Sequence, residues 1–585
     1  MVTLFGIFET GTRGLFAQQA GLAVTGNNIA NVNTPGYSRQ RVNLVTTKDI
    51  DTLPKPIGMG VKVDSISRYR NAFLDAQIRK ESSNLSFYQG LSNTYNQLET
   101  IFSDPINLPA SSLEDTNEAG LNATLIRFFD ALQELTLEPE SSSVRYSVAE
   151  TSVTLASTFN QISRQMQDLR EDLNRQVTGA VSEINAILDS VLDINIEVAR
   201  LELGQSANAN NLRDQRDQLL ARLSEYIPVK IVELPSGAIN VEIFGTNAVQ
   251  PSSVTHLQAI QRPGDSRQFV DIVFQAGSGQ TLNSQLTSGR LGAALQGRDI
   301  LVPGFQTQLD ELAATLIHEV NKIHSGGSGL RYFNRIIGGE AVQDPTDLLS
   351  AARLPFAVQA GSLTIALRDS EGNVTNRYTV NVDPGTQSLN DLVAAIDAAD
   401  GTAGGGNLSA SLTLQNQLVI ESAAGTTFTF EGDSSWVLAA LRVNTFFDGT
   451  DASTLAVNQA ILDNPALIAA SSDGTSGNNQ GALAMARLRT AQVLSEGTAD
   501  FNEYYQSMIA QLGTQGRRVS QLESNTSLLV DSLWTRQEEV AGVSLDEETV
   551  NMLKYQRAFV AASRFITVID EAIQTIVERM GIVGR

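Results

Sequence analysis

Apolar residues recur every seven positions near both ends of the chain. At the C-terminal end the period runs through Leu545, Met552, Phe559, Ile566, Ile573 and Met580, with a second row at Tyr555, Ala562, Ile569 and Ile576. A sustained seven-residue period predicts a helix with a coiled-coil seam, and Ser544 with Glu547 has the pattern of a capping box at its start. The N-terminal end shows the period more weakly, through Phe8, Leu15, Leu22 and Ile29. We therefore expect a helix at each end, with seams suited to assembly.

The pattern between the two ends changes from helical to strand-like and back. Helices are predicted over 4–30, 71–102, 121–135, 143–203, 303–324, 482–541 and 545–580. A break is predicted at Gly179, inside the longest of them. Strands are predicted over 41–47 and 61–66, and strand-rich regions over 229–300 and 355–447, with a hairpin turn at Asp369–Asn373.

These elements predict a multidomain α+β fold. Both chain ends form a long α-helical coiled-coil bundle, and β-rich domains are inserted in the middle. A chain of 585 residues is also too long for a single hydrophobic core. The expected segments are an N-terminal helix with a turn and short strands (1–70), the first part of a long-helix domain (71–227), a β-rich domain (228–300), a helix returning to the helical domain (301–340), an inserted outer β-rich domain (341–450), the second part of the helical domain (451–541) and the C-terminal heptad helix (542–585).

The composition excludes several classes of function. The 41 basic and 64 acidic residues give a net charge of −23, which argues against a nucleic-acid partner because a phosphate backbone requires clustered cations. The chain has no cysteine, which excludes disulfides, zinc–thiolate sites and thiol nucleophiles. We expect no membrane insertion, because no apolar run approaches the roughly 18 residues of a span. The N-terminus lacks the pattern of a secretory signal, which taken alone favours the cytoplasm.

No constellation in the sequence has the spacing of a catalytic, cofactor or metal site. His318-Glu319 begins like a zinc-protease motif, but Lys322 stands where the second histidine belongs. The glycine-rich stretches 277–279 and 326–329 lack the ending of a phosphate-binding loop. Asp448–Asp451 lacks the ligand series of a calcium loop. We therefore expect no enzyme activity, no cofactor and no bound metal.

A family signature stands at the end of the first helix. It reads Asn28-Ile29-Ala30-Asn31-Val32-Asn33-Thr34-Pro35-Gly36-Tyr37-Ser38-Arg39-Gln40, and its Pro-Gly pair predicts a type II turn after the helix. The stretch resembles the N-terminal signature of bacterial flagellar axial proteins, the family of rod, hook and hook-associated proteins. The continuation from Tyr37 to Gln40 resembles the hook-associated members, which join hook and filament.

Four later stretches resemble the same family in the same order. They are Gly58–Val61 leading to Arg68, Phe73 and Leu74; Leu212–Leu219; Val457–Ala470; and Gly542–Glu548 followed by Tyr555 and Gln556. The resemblance covers about 1–325 and 450–585. It leaves the β-rich region 355–447 without a matching motif.

The resemblance implies a structural role in the flagellum. Family members leave the cell unfolded through flagellar type III export without a cleaved signal, so the chain would be extracellular after a transient cytoplasmic pool. Its terminal helices would form an inner coiled-coil tube of many copies, and its β domains an outer surface. The implied partners are further copies of the chain, the flagellar hook protein, the next hook-associated protein and an export chaperone bound to the C-terminal helix.

Several alternatives stay open at this point. Asn28, Asn31 and Asn33 fit either backbone capping or contact with a neighbouring subunit, and Arg39 and Arg41 fit either pairing with a neighbour's carboxylates or exposure to solvent. The chain could instead be another axial protein, of the hook or distal rod. From a different class, it could be a secreted surface enzyme with its activity in 229–300 or 355–447, where an adhesin-like or immune-recognised module is a further option.

Overall fold

The computed structural model describes residues 4–47, 58–102, 120–202, 209–265, 267–276, 279–399 and 406–580. Within these ranges the α-helices are α1 (Leu4–Ala30), α2 (Ala72–Phe102), α3 (Leu121–Leu137), α4 (Ser142–Glu202), α5 (Asn210–Tyr226), α6 (Gly289–Gln296), α7 (Val302–Ser325), α8 (Leu389–Ala398), α9 (Val437–Ala440), α10 (Gln459–Asp463), α11 (Gln480–Arg487), α12 (Phe501–Ala541) and α13 (Leu545–Met580). None of these helices is both long enough and apolar enough to cross a membrane.

The strands of the same ranges are short and form several small sheets. They are β1 (Gln40–Thr46), β2 (Val61–Arg68), β3 (Lys230–Glu233), β4 (Ile239–Ile243), β5 (Thr246–Gln250), β6 (Ser253–Val254), β7 (Leu257–Gln261), β8 (Val270–Phe274), β9 (Arg335–Ile337), β10 (Gly361–Arg368), β11 (Val374–Val382), β12 (Leu408–Leu412), β13 (Leu418–Ser422), β14 (Thr427–Asp433), β15 (Phe447–Asp448) and β16 (Ala456–Val457). Helices at both ends and sheets between them confirm the predicted multidomain α+β fold.

Two predicted helix boundaries are wrong. α4 continues through Gly179 without a break, because one exposed glycine costs only about 1 kcal/mol in a helix of 61 residues. The predicted helix over 482–541 is interrupted between α11 and α12. There Ser495, Glu496 and Gly497 all have positive φ angles, of 49°, 59° and 84°, and the backbone forms a tight turn that a helix cannot contain.

The contacts divide the chain into two compact units, each built from separate segments. Unit 1 comprises Met1–Asn93, Glu171–Arg298 and Arg518–Arg585, and unit 2 comprises Thr94–Arg170 and Asp299–Arg517. Both chain ends therefore belong to unit 1. The chain has two tryptophans, Trp534 in unit 1 and Trp436 in unit 2, so that each unit carries one fluorescent reporter.

In unit 1 the two terminal helices pack against each other. The buried stripe of α1 consists mainly of small residues, namely Gly11, Ala17, Gly21, Val24, Thr25 and Asn28. Bulky side chains of α13 fill the space that the glycines leave. A methyl group at Gly21 would lie 2.5 Å from the Tyr555 ring, and one at Gly11 would lie 2.9 Å from Ile566. The contact depends on small residues of α1 receiving large residues of α13.

The predicted heptad rows take unequal parts in this contact. In α1, Phe8 is exposed, while Leu15, Leu22 and Ile29 are half-buried beside the small-residue stripe. In α13, Ile569 is buried, and the half-buried members of the rows are Met552, Tyr555, Phe559, Ala562, Ile566 and Ile573. Leu545 and Ile576 remain exposed, and the side chain of Met580 lies outside the described residues. The heptad row of large residues in α1 is therefore not the most buried face of that helix, because its glycines let the side chains of α13 approach more closely.

The hairpin of β1 and β2 follows α1 in unit 1. Its antiparallel register sets Gln40 opposite Arg68 and Thr46 opposite Val61. The same unit holds a four-stranded sheet in the order β3-β4-β5-β6 and a two-stranded sheet of β7 and β8. The register of β1 and β2 places Gln40 and Arg68 opposite each other, and both side chains contact α5.

Unit 2 contains a β core of its own. Its sheets have the strand orders β11-β10-β14 and β12-β13-β9, and the predicted hairpin turn joins β10 to β11 at Asp369–Asn373. Apolar side chains from both sheets meet those of α8, including Leu363, Ile365, Phe428, Phe430, Leu392 and Ile396. α8 begins at a complete capping box of Ser388 and Asp391, which the β-rich pattern of 355–447 did not indicate.

A buried histidine ties three segments of unit 2 together. The ring of His324, at the end of α7, donates a hydrogen bond from Nδ1 to the Asn444 carbonyl (2.8 Å) and accepts one at Nε2 from the Ala469 amide (3.0 Å). Both bonds require the neutral imidazole. Burial, with a smaller contribution from the charge of Arg145, lowers the pKa of His324 to about 4.

We predict that α1 pairing depends on Gly21 and not on Gly26. In Gly21→Ala the new methyl group collides with Tyr555, and overpacking of this kind costs about 1–3 kcal/mol. A methyl group at Gly26 meets nothing within 4 Å, so Gly26→Ala gains helix propensity, about 1 kcal/mol. Hydrogen exchange followed by mass spectrometry should show faster exchange in α1 for the first variant and equal or slower exchange for the second. Equal behaviour of the two would contradict the packing described here.

We predict that unit 2 loses stability in acid through His324. The folded-state pKa is about 4 and the unfolded value is about 6.5, so stability is fully present above pH 6.5 and is lost as the pH falls towards 4. The difference corresponds to about 3 kcal/mol. Urea unfolding followed by Trp436 fluorescence in a Trp534→Phe background should show this loss. His324→Gln keeps a donor and an acceptor but cannot titrate, so it should remove this part of the pH dependence.

Candidate functional site

The signature stretch leaves α1 through a tight turn. Thr34, Pro35, Gly36 and Tyr37 form it, with the Tyr37 amide donating to the Thr34 carbonyl (3.2 Å). Gly36 has a φ of +75°, as the third position of the predicted type II turn requires. Gln218 of α5 donates to the Pro35 carbonyl (2.7 Å). The turn thus reverses the chain and attaches it to α5.

Asn28 is the hydrogen-bonding centre of the signature. Its buried side chain donates from Nδ2 to the Gln40 carbonyl (2.9 Å) and to Glu548 Oε2 (3.0 Å). Its Oδ1 accepts from the Gln40 amide (3.0 Å) and from the Tyr37 hydroxyl (2.8 Å). All these partners belong to the same chain, so Asn28 joins the end of α1, the start of β1 and the start of α13.

Arg39 completes the link to α13. Its guanidinium bonds the buried carboxylate of Glu548 (2.8 Å) and the exposed one of Glu547 (2.7 Å). Its amide also donates to the Ala541 carbonyl (2.8 Å). Burial by itself lowers the pKa of Arg39, but the bonds and charges of the two glutamates outweigh it and raise that pKa above its ordinary value.

The same network affects Tyr37. Burial, followed by the negative charges of Asp214 and Glu548, raises the pKa of the Tyr37 hydroxyl to about 12. The hydroxyl therefore remains protonated at neutral pH. This proton is the one donated to Asn28.

A second cluster attaches the signature to α5. Ser38 donates to Asp214 from its amide (3.1 Å) and from its hydroxyl (2.7 Å). Arg68, opposite Gln40 on β2, bridges Asp214 (2.6 Å) and Asp217 (2.8 Å). Arg70 binds Asp217 (3.3 Å) and pairs with Asp75 (2.7 Å). Each of the three carboxylates in this cluster is bonded to an arginine, and such charge-assisted bonds are strong.

Gln40 makes the last connection. Its Nε2 donates to Asn211 (3.1 Å), and its Oε1 accepts from Asn210 (3.3 Å), which also donates to the Ile66 carbonyl (2.8 Å). Both asparagines belong to the first turn of α5. Asn210 and Asn211 directly precede the α5 stretch of the resemblance, which itself contacts the signature through Asp214 and Gln218.

The structure thus brings together stretches that are more than 500 residues apart in sequence. The sequence pattern missed the roles of Asp75, Asp214, Asp217 and Arg70, although the two α5 aspartates belong to a stretch already recognised. The sequence feature that could have revealed these two aspartates is their separation of three residues, which puts Asp214 and Asp217 on one face of α5.

Other signature residues lie outside the network. Asn31 bonds Asn27 within α1 (2.7 Å), Ala30 and Asn33 are exposed, and Ile29 is half-buried. Arg41 stacks over the Tyr69 ring at 5.0 Å. Arg39 pairs with carboxylates of its own chain.

The predicted capping box of α13 is only half formed. The Glu547 amide lies 3.5 Å from the Ser544 hydroxyl, but the Glu547 carboxylate bonds Arg39 instead of the Ser544 amide. A charge-assisted bond to a guanidinium is stronger than a bond to a neutral amide. Glu547, which was expected to cap α13, therefore binds Arg39 of the signature instead.

The arrangement has the chemistry of a structural joint. The carboxylates of the network are bonded to arginines, so none is free to serve as a general base. In the described part of the chain, no group of three or more His, Asp or Glu side chains converges as a metal site. His318, from the stretch resembling a zinc-protease motif, stacks on Phe356 with ring centres 4.4 Å apart.

Comparisons with known proteins agree with this architecture. The family model "Flagellar hook-associated protein FlgK helical domain" matches residues 110–335, "Flagella basal body rod protein" matches 8–37, and "Flagellar basal body rod FlgEFG protein C-terminal" matches 537–579. The flagellar hook-associated protein 1 of Bacillus subtilis (strain 168) is 26% identical, with all of both chains covered. Over its whole length the chain is therefore similar to flagellar hook-associated protein 1.

Further relatives extend the similarity. The hook-associated protein 1 of Escherichia coli (strain K12) is 25% identical over 94% of this chain and 96% of that protein. The structure of the flagellar hook junction protein FlgK from Burkholderia pseudomallei has a similar fold, with a TM-score of 0.53 at 16% identity, covering 80% of this chain and all of that one. The similarity to these proteins supports a structural role in the bacterial flagellum.

We predict that the joint between the signature and α13 depends on Glu548 far more than on Glu547. Glu548 is 2% exposed, and Glu548→Gln sets an amide N–H against donors of Asn28 or Arg39, so we expect a loss of about 3 kcal/mol. Glu547→Gln alters an exposed contact to the same arginine and should cost less than about 1 kcal/mol. Urea unfolding followed by Trp534 fluorescence in a Trp436→Phe background measures both. Equal losses would contradict the prediction.

Proposed function

We propose that this chain is a structural adaptor that joins the flagellar hook to the filament. The relatives named above are hook-associated or hook junction proteins by name, which supports the junction role. The observation that carries the proposal is an apolar face of α13 that no other described residue covers. Such a face requires a partner, because large exposed apolar surfaces are rare on proteins that act alone.

The uncovered face lies on the outer side of α13. Val550, Leu553, Val560 and Val568 are 64%, 49%, 46% and 62% exposed, and they fall within about 80° of one another around the helix. Tyr555, Ile566 and Ile569, which are buried or half-buried, lie on the side that packs against α1. α13 therefore has one face for α1 and another for a different helix.

Other helices of unit 1 add to the exposed apolar surface. Phe16 of α1 is 60% exposed, and α12 exposes Leu528, Leu529, Trp534 and Val540. All belong to the segments that contain the chain ends. We infer that copies of the chain cover these surfaces by packing their terminal helices together, as the heptad rows predict.

The remaining partners follow from a junction role. One end of a ring of copies would meet the hook protein, and the other end would meet the next hook-associated protein. Before assembly, the outer face of α13 would be the binding surface of an export chaperone, because an amphipathic helix is readily held in a groove. Passage through the flagellar type III channel requires an unfolded chain, and the absence of cysteine is compatible with that requirement.

Deletion of the gene tests the proposal. We expect cells with hooks but without filaments by electron microscopy, and flagellin released into the medium. The double variant Val560→Gln/Val568→Gln should fail to restore filaments, although its unfolding free energy should stay within about 0.5 kcal/mol of the parent value.

The matched control is Val232→Gln, the same change at a valine that is 42% exposed on β3 of unit 1. It should restore filaments. Normal filaments on the deletion strain would contradict the junction role. Filaments restored by the α13 double variant would contradict assembly through this face.

A further inference from the structure

A cavity of about 730 Å³ lies beside the signature turn in unit 1. We infer that this cavity binds a carboxylate-bearing segment of a second copy of the chain. The inference rests on the proposed function, to which it adds one specific contact between copies. Three lining residues support it: Arg79, Gln537 and Trp534.

Arg79 lines the cavity from α2 and has no hydrogen bond or ion pair with any described residue. Asp75 and Asp217 influence it only at longer range, because both carboxylates are bonded to Arg70. Burial lowers the pKa of the half-buried Arg79, and the charge of Arg70 adds to this effect, against the raising influence of Asp75 and Asp217. An entering carboxylate would supply the charge-assisted hydrogen bond that Arg79 does not make with the described residues.

The other cations of the lining are already neutralised. Arg222 is paired with Glu183 and Arg290 with Glu225. Arg79 is therefore the lining arginine that an incoming anion can bind without displacing an existing partner. This makes Arg79 the residue on which the inference can be tested.

The neighbouring groups favour a polypeptide with a single carboxylate over a phosphate. Glu538, exposed in the same lining, would repel a multiply charged anion. Gln537 is 5% exposed, and its Oε1 accepts no hydrogen bond within the described residues. After a rotation of the amide it can accept one from a backbone N–H. Trp534 is 48% exposed and provides an apolar wall for the same segment.

Charge and location favour a second copy as the source of that segment. Carboxylates outnumber cations on every copy, by 64 to 41, which complements an unpaired arginine. The helix that supplies Gln537 and Trp534 is α12, which also exposes Leu528, Leu529 and Val540. The cavity therefore shares a helix with the apolar surface that the proposed function assigns to contacts between copies.

Photo-crosslinking in living cells tests the inference. The photoreactive residue p-benzoylphenylalanine is placed at position 534 of the full chain in the deletion host, and adducts are identified by mass spectrometry. We expect an adduct of two copies of the 62.9 kDa chain, with an Asp or Glu in the captured peptide. Arg79→Gln should lower its yield about tenfold, because a charge-assisted hydrogen bond is lost.

The control is Arg175→Gln, which removes an exposed arginine of unit 1 that pairs within its own helix. It should leave the adduct yield unchanged. An adduct with the hook protein or any other protein, the absence of an adduct, or a yield insensitive to Arg79→Gln would each overturn the inference.

Stability of the purified chain separates docking from a structural role. Arg79→Gln should leave the urea midpoint reported by Trp534 unchanged or raise it, because it removes an unpaired charge. A lowered midpoint would make Arg79 a structural residue and overturn the inference. The two failures can be distinguished. The proposed function fails if the deletion strain forms normal filaments, whereas the inference fails if whole cells give no adduct between two copies, and the adduct can be detected whether or not the cells have filaments.

Discussion

The joint in unit 1 depends on one buried carboxylate. Glu548 is held by Asn28 and Arg39, so a single negative charge fixes the end of α1, the start of β1 and the first turn of α13. A carboxylate out of contact with water is costly unless its oxygens are bonded and its charge is matched. Both conditions are met only when all three segments are in place. The arrangement is therefore specific: a shifted helix would leave the charge without partners.

Of the two faces of α13, one is buried against α1 and the other is exposed. Glycines of α1 admit Tyr555 and Ile566 closely, which buries one face of α13. Its opposite face stays apolar and exposed. An exposed apolar face of this kind is typical of a surface that binds a partner.

Unit 2 is stabilised by different interactions. Its β core is completed by its own strands and by α8, and the neutral ring of His324 joins the end of α7 to segments that follow the β core in sequence. Among the described residues, this core draws its side chains from unit 2 alone.

The sequence by itself determined most of the elements and the resemblance to flagellar axial proteins. Heptad spacing, the Pro-Gly turn and the hairpin signal are local patterns, and each is set by backbone geometry within a few residues. Tertiary structure decided which of these elements meet. Glu547 matched a helix cap in sequence, yet it bonds Arg39. The heptad row of large residues in α1 suggested the face that contacts α13, yet the closest contacts are made at Gly11 and Gly21. Both choices depend on partners hundreds of residues away, and no local spacing encodes the distance between them.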